Sequence, residues 1–431
     1  MAMQITSDTV LPRHLAPVVA DRMRWAPVVV VGGARTCGKT TMLAECAENH
    51  DVPLIDLDDP AMRQLIAQDV TGYLSRLPRP VCVDEFQHNL DLLDAIKTDL
   101  NRGIRPGQYL LTGSTRFTTL PKASQSLTGR AHLMTLWPLS QGELCGHKES
   151  FLDVLLNDAR TLLTGDTAAA DRETYENKVL LGGYPMAHML VSSSDRRLWY
   201  RDLLELVIKR DLLSLREVRR RDQIADVVRA LAGQTAQILN VSRLASQLGM
   251  SANSVAELVA LLESVYIVHR LPAYGRTLTN RVGRTPKIHV VDSGFGASLL
   301  GVTERKLRAM RTEALAEFGH LVESFTVNEL MKQAGWSKDN VEFFHFRTRD
   351  QKEVDLVIQA DDGRVAAVEV KAGSKVKESD FAGMRLLREH LGDDFVGGAL
   401  LNLGRLSYEF EPGLFVMPVD TLWRHGQPAI S

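Results

Sequence analysis

Cysteine is scarce: Cys37, Cys46, Cys82 and Cys145 are the four in 431 residues, and no C-x-x-C pair occurs among them. A disulfide framework is excluded and a reducing compartment is expected, each thiol reading as a small buried hydrophobe. Long apolar runs are also missing. None reaches the roughly 18 residues of a bilayer span, and the opening MAMQITSDTVLPRHLAPVVADRMRW has neither an apolar h-region nor a small-residue cleavage site. A cytoplasmic location with no membrane segment is expected. Neither sign of charge is in excess: 51 Lys and Arg against 53 Asp and Glu leave a formal -2. The whole chain therefore offers no reason to bind an anionic polymer, and any such partner must be held by a local patch. Internal repeats of roughly 20 to 50 residues and low-complexity tracts are absent, which removes solenoids and propellers.

What is present is an ordinary globular composition, 45% hydrophobic and 24% charged, at a length that predicts roughly two to four domains. Hydrophobic patterning divides the chain into four blocks. Residues 1–141 alternate apolar runs (Val28 to Val31, Val81 to Val83, Tyr109 to Leu111, Leu133 to Leu136) with helical stretches, the pattern of a parallel α/β sheet. Residues 142–221 read as helices. Residues 222–290 hold short helices, a sharp turn and a basic loop, and residues 291–431 return to mixed strands and helices, ending in the extended segment Glu409 to Pro418.

Gly33 to Thr40, GARTCGKT, matches G-x-x-x-x-G-K-[ST] and sits between the strand-like PVVVVG and the helical TTMLAECAE. In that context the glycines let backbone N–H groups converge on phosphate oxygens, with the dipole of the new helix behind them. Lys39 is placed for the terminal phosphates, and the Thr40 hydroxyl for Mg²⁺. Val81-Cys82-Val83-Asp84-Glu85 is an apolar strand ending in two acids. Asp84 is the natural anchor for Mg²⁺, directly or through water, and Glu85 the carboxylate that polarises an attacking water. A third strand ends in Thr112-Gly113-Ser114, whose hydroxyls suit a γ-phosphate or its water; a plain Ser/Thr turn is the alternative.

With these motifs in hand, the chain resembles the AAA+ class of ATPases. It is more closely similar to a widespread prokaryotic group of predicted ATPases that carry GKTT (Gly38, Lys39, Thr40, Thr41), hhhDE (Val81 to Glu85), LTGS (Leu111 to Ser114), S-L-x-G-R (Ser126 to Arg130) and P-L-S (Pro138 to Ser140). The resemblance covers essentially the full chain. It implies ATP with Mg²⁺ as cofactors and Arg130 as an arginine finger reaching into a neighbouring subunit, hence a homo-oligomer. A solvated or salt-bridged arginine is the alternative. The group also carries a G-G-Y-P turn, here Gly182 to Pro185, and an R-x-P-K-h-x-x-x-D segment, here Arg284 to Asp292; the turn has no evident chemical role.

Asn240 to Leu258 reads as two short amphipathic helices joined through Gly249, capped by Ser242 and Ser251, with Leu244, Leu248, Val255, Leu258 and Leu262 as shared core. Such a unit commonly presents its second helix to DNA. That helix shows Ala252, Asn253, Ser254 and Glu257 and no basic residue, so a protein-protein joint is the alternative. From Ser264 to Val291 there is no acid, while Arg270, Arg276, Arg281, Arg284 and Lys287 are interleaved with Tyr266 and Tyr274. A wing along a phosphate backbone is expected there, with Arg219 to Arg221 adding to it.

Further on, Glu353 to Ile358 and Val365 to Lys371 alternate as two strands around Asp361-Asp362-Gly363. A three-residue loop at 361–363 puts Asp355 opposite Glu369 on one face, with Lys371 beside them; a two-residue loop would move Asp355 opposite Val370. Two acids and a lysine suit metal-assisted phosphodiester hydrolysis with Mg²⁺ or Mn²⁺. The D…E-x-K pattern resembles the PD-(D/E)xK nuclease superfamily, which implies a further helical acid, Glu323. Surface charge pairing, or a nuclease fold that only grips DNA, are the alternatives.

The expected architecture is α/β: a P-loop AAA+-type ATPase core (1–141), a helical subdomain (142–221), a winged helix-turn-helix with a basic loop (222–290) and a restriction-endonuclease-like α/β domain (291–431). The expected activity is ATP hydrolysis coupled to action on DNA, with metal-dependent cutting at the C-terminal site; a nucleotide-switched regulator that does not cut is the alternative.

Overall fold

The computed structural model describes residues 11–120, 126–163, 170–212, 221–275, 285–424 and 426–428. Arg219, Arg220, Arg276, Arg281 and Arg284 lie outside them.

Val28–Gly32 (β1), Leu54–Asp56 (β2), Val81–Asp84 (β3), Tyr109–Gly113 (β4) and Ala131–Thr135 (β5) form one parallel sheet in the order β2-β3-β4-β1-β5. Its central strands β1, β3 and β4 are buried along their whole length, which is why they read as continuous apolar runs rather than alternating ones. β5 is an edge strand and leaves Leu133 exposed. Because β4 lies between β1 and β3, Ser114 just past its end stands between the loop that follows β1 and the acids that end β3.

Helices fill the second block as expected, with one addition: His147–Glu149 is a short strand (β6) that pairs antiparallel with Gly426–Pro428. Three residues are too few to show a period in sequence. The helices of this block serve two cores. Phe151–Asp158 and Arg172–Leu181 pack into the cluster of the C-terminal sheet. Ser193–Leu206 and the π-helical turn Val207–Leu212 contribute to the buried cluster that also holds Val29 and Val31 of β1.

The third block runs Arg221–Ala232, β7 (Gln237–Ile238), Val241–Leu248, Ala252–Ser264, β8 (Val268–Leu271) and β9 (Lys287–Val290), with sheet order β7-β9-β8. Gly249 takes the left-handed conformation, φ 61°, that closes the first short helix. Ser251 caps the second as expected, but Asn240 and not Ser242 caps the first, its side chain accepting from Arg243 N–H. Asn240 directly precedes the first helical residue, and so it alone reaches the N3 donor. Leu244, Val255 and Leu262 are buried in the cluster that contains β1.

The C-terminal sheet joins β10 (Val341–Arg347), β11 (Glu353–Ala360), β12 (Val365–Lys371), β13 (Phe395–Asn402), β14 (Tyr408–Glu411) and β15 (Leu414–Pro418) in the order β10-β11-β12-β13-β15-β14. The 23-residue helix Thr312–Ala334 packs into its core. Leu356 pairs with Val368 and Gln359 with Val365, and Ala360 N–H bonds Arg364 O. Continued outward, this register sets Asp355 opposite Glu369, the outcome of the three-residue loop. Among the described residues no helix is long and apolar enough to cross a membrane.

Candidate functional site

The helix Lys39–Asn49 begins directly after Gly38, whose φ of 103° suits glycine and which turns the chain out of the loop. Gly33 is required for space: a Cβ there would lie 2.3 Å from Leu136 O. Lys39 is buried and its ammonium donates to Ala34 O at 3.0 Å, with Glu85 Oε1 at 4.0 Å. Thr40 Oγ1 donates to Asp84 Oδ2 at 2.5 Å, and Asp84 Oδ1 accepts from Thr112 Oγ1 at 2.5 Å. Thr41 is exposed on the same first turn.

Glu85 adopts the left-handed conformation, φ 50°, which swings its carboxylate across to β4. There Oε2 accepts from Ser114 N–H at 3.0 Å and from the Gln87 amide. Gln87 Nε2 also donates to Ser114 Oγ at 3.0 Å. Burial works to raise the Glu85 pKa, but Lys39, the Gln87 hydrogen bond and Arg35 outweigh it and hold the carboxyl below its ordinary value. It is thus an ionised acceptor at neutral pH, the state a water-orienting carboxylate needs.

Three further residues escaped sequence reading. Gln87 sits in the turn Phe86–His88 that follows the acids. Arg13 braces the loop from outside, donating to Cys37 O at 2.7 Å, Trp137 O at 2.7 Å and Glu143 Oε1 at 3.0 Å. Arg35 forms two hydrogen bonds of 3.1 Å to buried Asp211, whose Oδ1 also accepts from Ser114 Oγ at 3.4 Å. Arg130 stands apart from this group at the start of β5, donating to Asn101 Oδ1 at 2.8 Å.

The G-G-Y-P turn has a structural role. Gly183 N–H donates to Asp292 Oδ2 at 2.7 Å, Tyr200 OH to Asp292 Oδ1 at 3.1 Å, and Leu139 N–H to Gly183 O at 2.8 Å. Nearby, Glu329 accepts from Gln141 N–H at 2.8 Å and Lys332 donates to Leu139 O at 3.0 Å. The P-L-S, G-G-Y-P and P-K-h-x-x-x-D motifs therefore meet at one buried joint between the parallel sheet and the blocks beyond it.

A second candidate site lies in a cavity of about 600 Å³. Asp355, Glu369, Lys371 and Glu323 all line it, so the helical acid does face the hairpin acids. Lys371 Nζ bonds Glu369 Oε1 at 2.6 Å, and Asp355 Oδ2 accepts from Val370 N–H at 3.0 Å. Two residues join them that the sequence did not assign here. Glu353 lies one strand period before Asp355, and buried Lys287 reaches in from β9, its ammonium 2.7 Å from Glu323 Oε1, 2.7 Å from Glu353 Oε1 and 2.9 Å from Asp355 Oδ1. Burial and the neighbouring Asp355 push Glu369 up to about 8, and Glu323 well above its ordinary value.

The acid-free stretch is less free in space. Arg270 pairs with Glu263, Lys287 is consumed by the acid cavity, and Tyr266 and Tyr274 are buried. The second short helix exposes Ala252, Asn253, Ser254 and Glu257.

Residues 26–145 match the AAA domain family. That segment holds the loop, both strand-terminal acids and Ser114, and the match supports an ATPase of AAA type. Residues 172–306 and 318–422 match two domains of unknown function, DUF8612 and DUF4143. Uncharacterized proteins of Mycobacterium bovis and Mycobacterium tuberculosis are each 26% identical over 411 residues, 95% of this chain and 81% of theirs. Among solved structures, a Walker-type ATPase of Pyrococcus abyssi is 15% identical, covering 69% of this chain and 98% of its own, with a TM-score of 0.42. AMPPCP-bound DnaA from Aquifex aeolicus is 12% identical, covering 57% of this chain and 86% of its own, with a TM-score of 0.27.

Proposed function

We propose that this protein is an AAA-type ATPase whose nucleotide state controls a DNA-holding unit built from its third and fourth blocks. The observation that carries the ATPase reading is the convergence of Lys39, Thr40, Asp84, Glu85 and Ser114 at one end of the parallel sheet. Thr40 Oγ1 and Asp84 Oδ2, 2.5 Å apart, are hard oxygen donors at the phosphate loop and suit Mg²⁺. The ion supplies charge neutralisation on the phosphates. Lys39 exchanges its bond to Ala34 O for phosphate oxygens, and Glu85, steadied by Ser114 N–H and Gln87, orients the water and accepts its proton. Arg130 is available to a neighbouring subunit in a homo-oligomer.

For DNA, the support is the order of helices and strands in the third block, which is the order expected of a winged helix, and the placing of Arg347, Arg349 and His390 along a cavity of about 880 Å³ whose other walls include Tyr274, Phe346 and Leu387. Cutting at Asp355, Glu369 and Lys371 is the reading their common cavity invites. The Lys287 ammonium among those carboxylates favours the alternative, a nucleotide-switched protein that holds DNA without cutting. The residues as arranged do not fit a divalent cation, so no cleavage step is assigned to them.

The test is one preparation of the full chain assayed with ATP, Mg²⁺ or Mn²⁺ and single-stranded, duplex and branched DNA. ATP hydrolysis lost in Lys39→Ala, with salt-dependent DNA affinity that ATP alters, is the expected result. Hydrolysis unchanged in Lys39→Ala defeats the ATPase reading; cutting abolished by Asp355→Ala defeats the non-cutting one.

A further inference from the structure

The cavity around Asp355 is lined by the carboxylates of Glu323, Glu353, Asp355, Glu369 and Asp380 and by the ammonium groups of Lys287, Lys352 and Lys371. Lys287 and Lys371 stand differently. Lys371 belongs to the same hairpin, is one-third exposed and bonds a single carboxylate. Lys287 comes from β9 of another sheet, and its side chain is 2% exposed. An ammonium has three protons, and Lys287 has three carboxylate oxygens within 2.9 Å, one each from Glu323, Glu353 and Asp355. Its hydrogen-bonding capacity is thus fully used by acids of two different elements, the helix Thr312–Ala334 and strand β11.

A Mg²⁺ or Mn²⁺ ion bound through Glu323 Oε1 and Asp355 Oδ1, the oxygens that converge on the nitrogen, would have to lie about 2 Å from them. Both cations cannot occupy that position, and in a buried pocket their repulsion is poorly screened. Among the described residues no group of three or more His, Cys, Asp or Glu could hold a metal ion. We propose that Lys287 is the resident cation of this pocket: its ammonium takes the place a divalent ion would fill, bars that ion from Glu323 and Asp355, and ties the three-stranded sheet to the C-terminal domain. The inference goes beyond the ATPase reading and does not depend on it.

The experiment is Mn²⁺ titration of the full chain without nucleotide, in an Asp84→Asn background that silences the phosphate-loop position, with free Mn²⁺ read by electron paramagnetic resonance. The background protein is expected to show no site tighter than about 1 mM. Adding Lys287→Met is expected to create one at least about tenfold tighter, and adding Asp355→Asn to remove it again. Micromolar Mn²⁺ binding in the background protein that disappears with Asp355→Asn overturns the proposal, as does a folded Lys287→Met protein with no gain. Should Lys287→Met fail to fold, the background protein with and without Asp355→Asn decides: tight binding lost with the aspartate refutes, and its absence supports.

Discussion

Arg35 in the phosphate loop grips Asp211 through two hydrogen bonds of 3.1 Å, across 176 residues of chain. Asp211 lies in the π-helical turn Val207–Leu212, and such turns are frequent at functional positions. A nucleotide entering the loop meets a residue already tethered to the helix that leads into the third block. In Asp211→Ala, ATP still binds, but protection of residues 207–212 from hydrogen exchange no longer responds to nucleotide. Equal responses in wild type and variant would show that the bond carries no signal.

Glu85→Gln keeps the side chain's shape and removes its basicity. Nucleotide binding is expected to persist while phosphate release slows by about a hundredfold or more. Normal turnover would assign the base elsewhere.

Among the described residues the Arg130 guanidinium donates to Asn101 Oδ1 and the Lys97 carbonyl, at the surface. If Arg130 acts as a finger between subunits, specific activity is expected to rise with protein concentration. Arg130→Ala removes that rise and lowers the maximal rate by about a thousandfold, with binding intact. A rate independent of concentration in wild type defeats this role.

The acid cavity sets a pH dependence. Glu369 has its pKa raised from 4.5 to about 8 by burial and Asp355, so between those values the folded protein binds more protons than the unfolded one. Stability from this group is full below pH 4.5 and is lost as pH rises towards 8. Glu369→Gln should flatten the fall in urea midpoint across that window; an unchanged slope would place the titration elsewhere.

A Cβ on Gly183 would lie 2.3 Å from Leu139 O, whereas one on Gly319 meets nothing nearer than Ala372 Cβ at 3.9 Å. Gly183→Ala is expected to cost about 1–3 kcal/mol, and Gly319→Ala, inside the helix Thr312–Ala334, to add about 0.5–1 kcal/mol, by thermal unfolding. Equal effects would mean that the joint can yield.

The phosphate loop, the Asp84-Glu85 strand end and the hairpin register were legible because each is local: a motif between a strand and a helix, or a period of two around one turn. Gln87, Arg13, Arg35, Glu353 and Lys287 were not. Arg13 meets Glu143, and Lys287 meets Asp355, only after separate elements have packed. Along the chain Lys287 reads as a cation of a basic stretch, whereas in the fold it is buried among acids, because an absence of acids along the chain says nothing about acids that arrive from elsewhere. The same holds for Arg270, whose partner Glu263 lies just outside the acid-free window. Glu353 was the one accessible omission, since it shares Asp355's face by strand period.

The helix Thr312–Ala334 carries Glu323 in the acid cavity and Glu329 and Lys332 at the joint beneath the parallel sheet. Six to nine residues of helix separate these ends, about 9–14 Å of axial rise. One unbroken helix therefore supplies side chains to both places, and the spacing of Glu323 from Glu329 and Lys332 is set by the helix itself and by no loop.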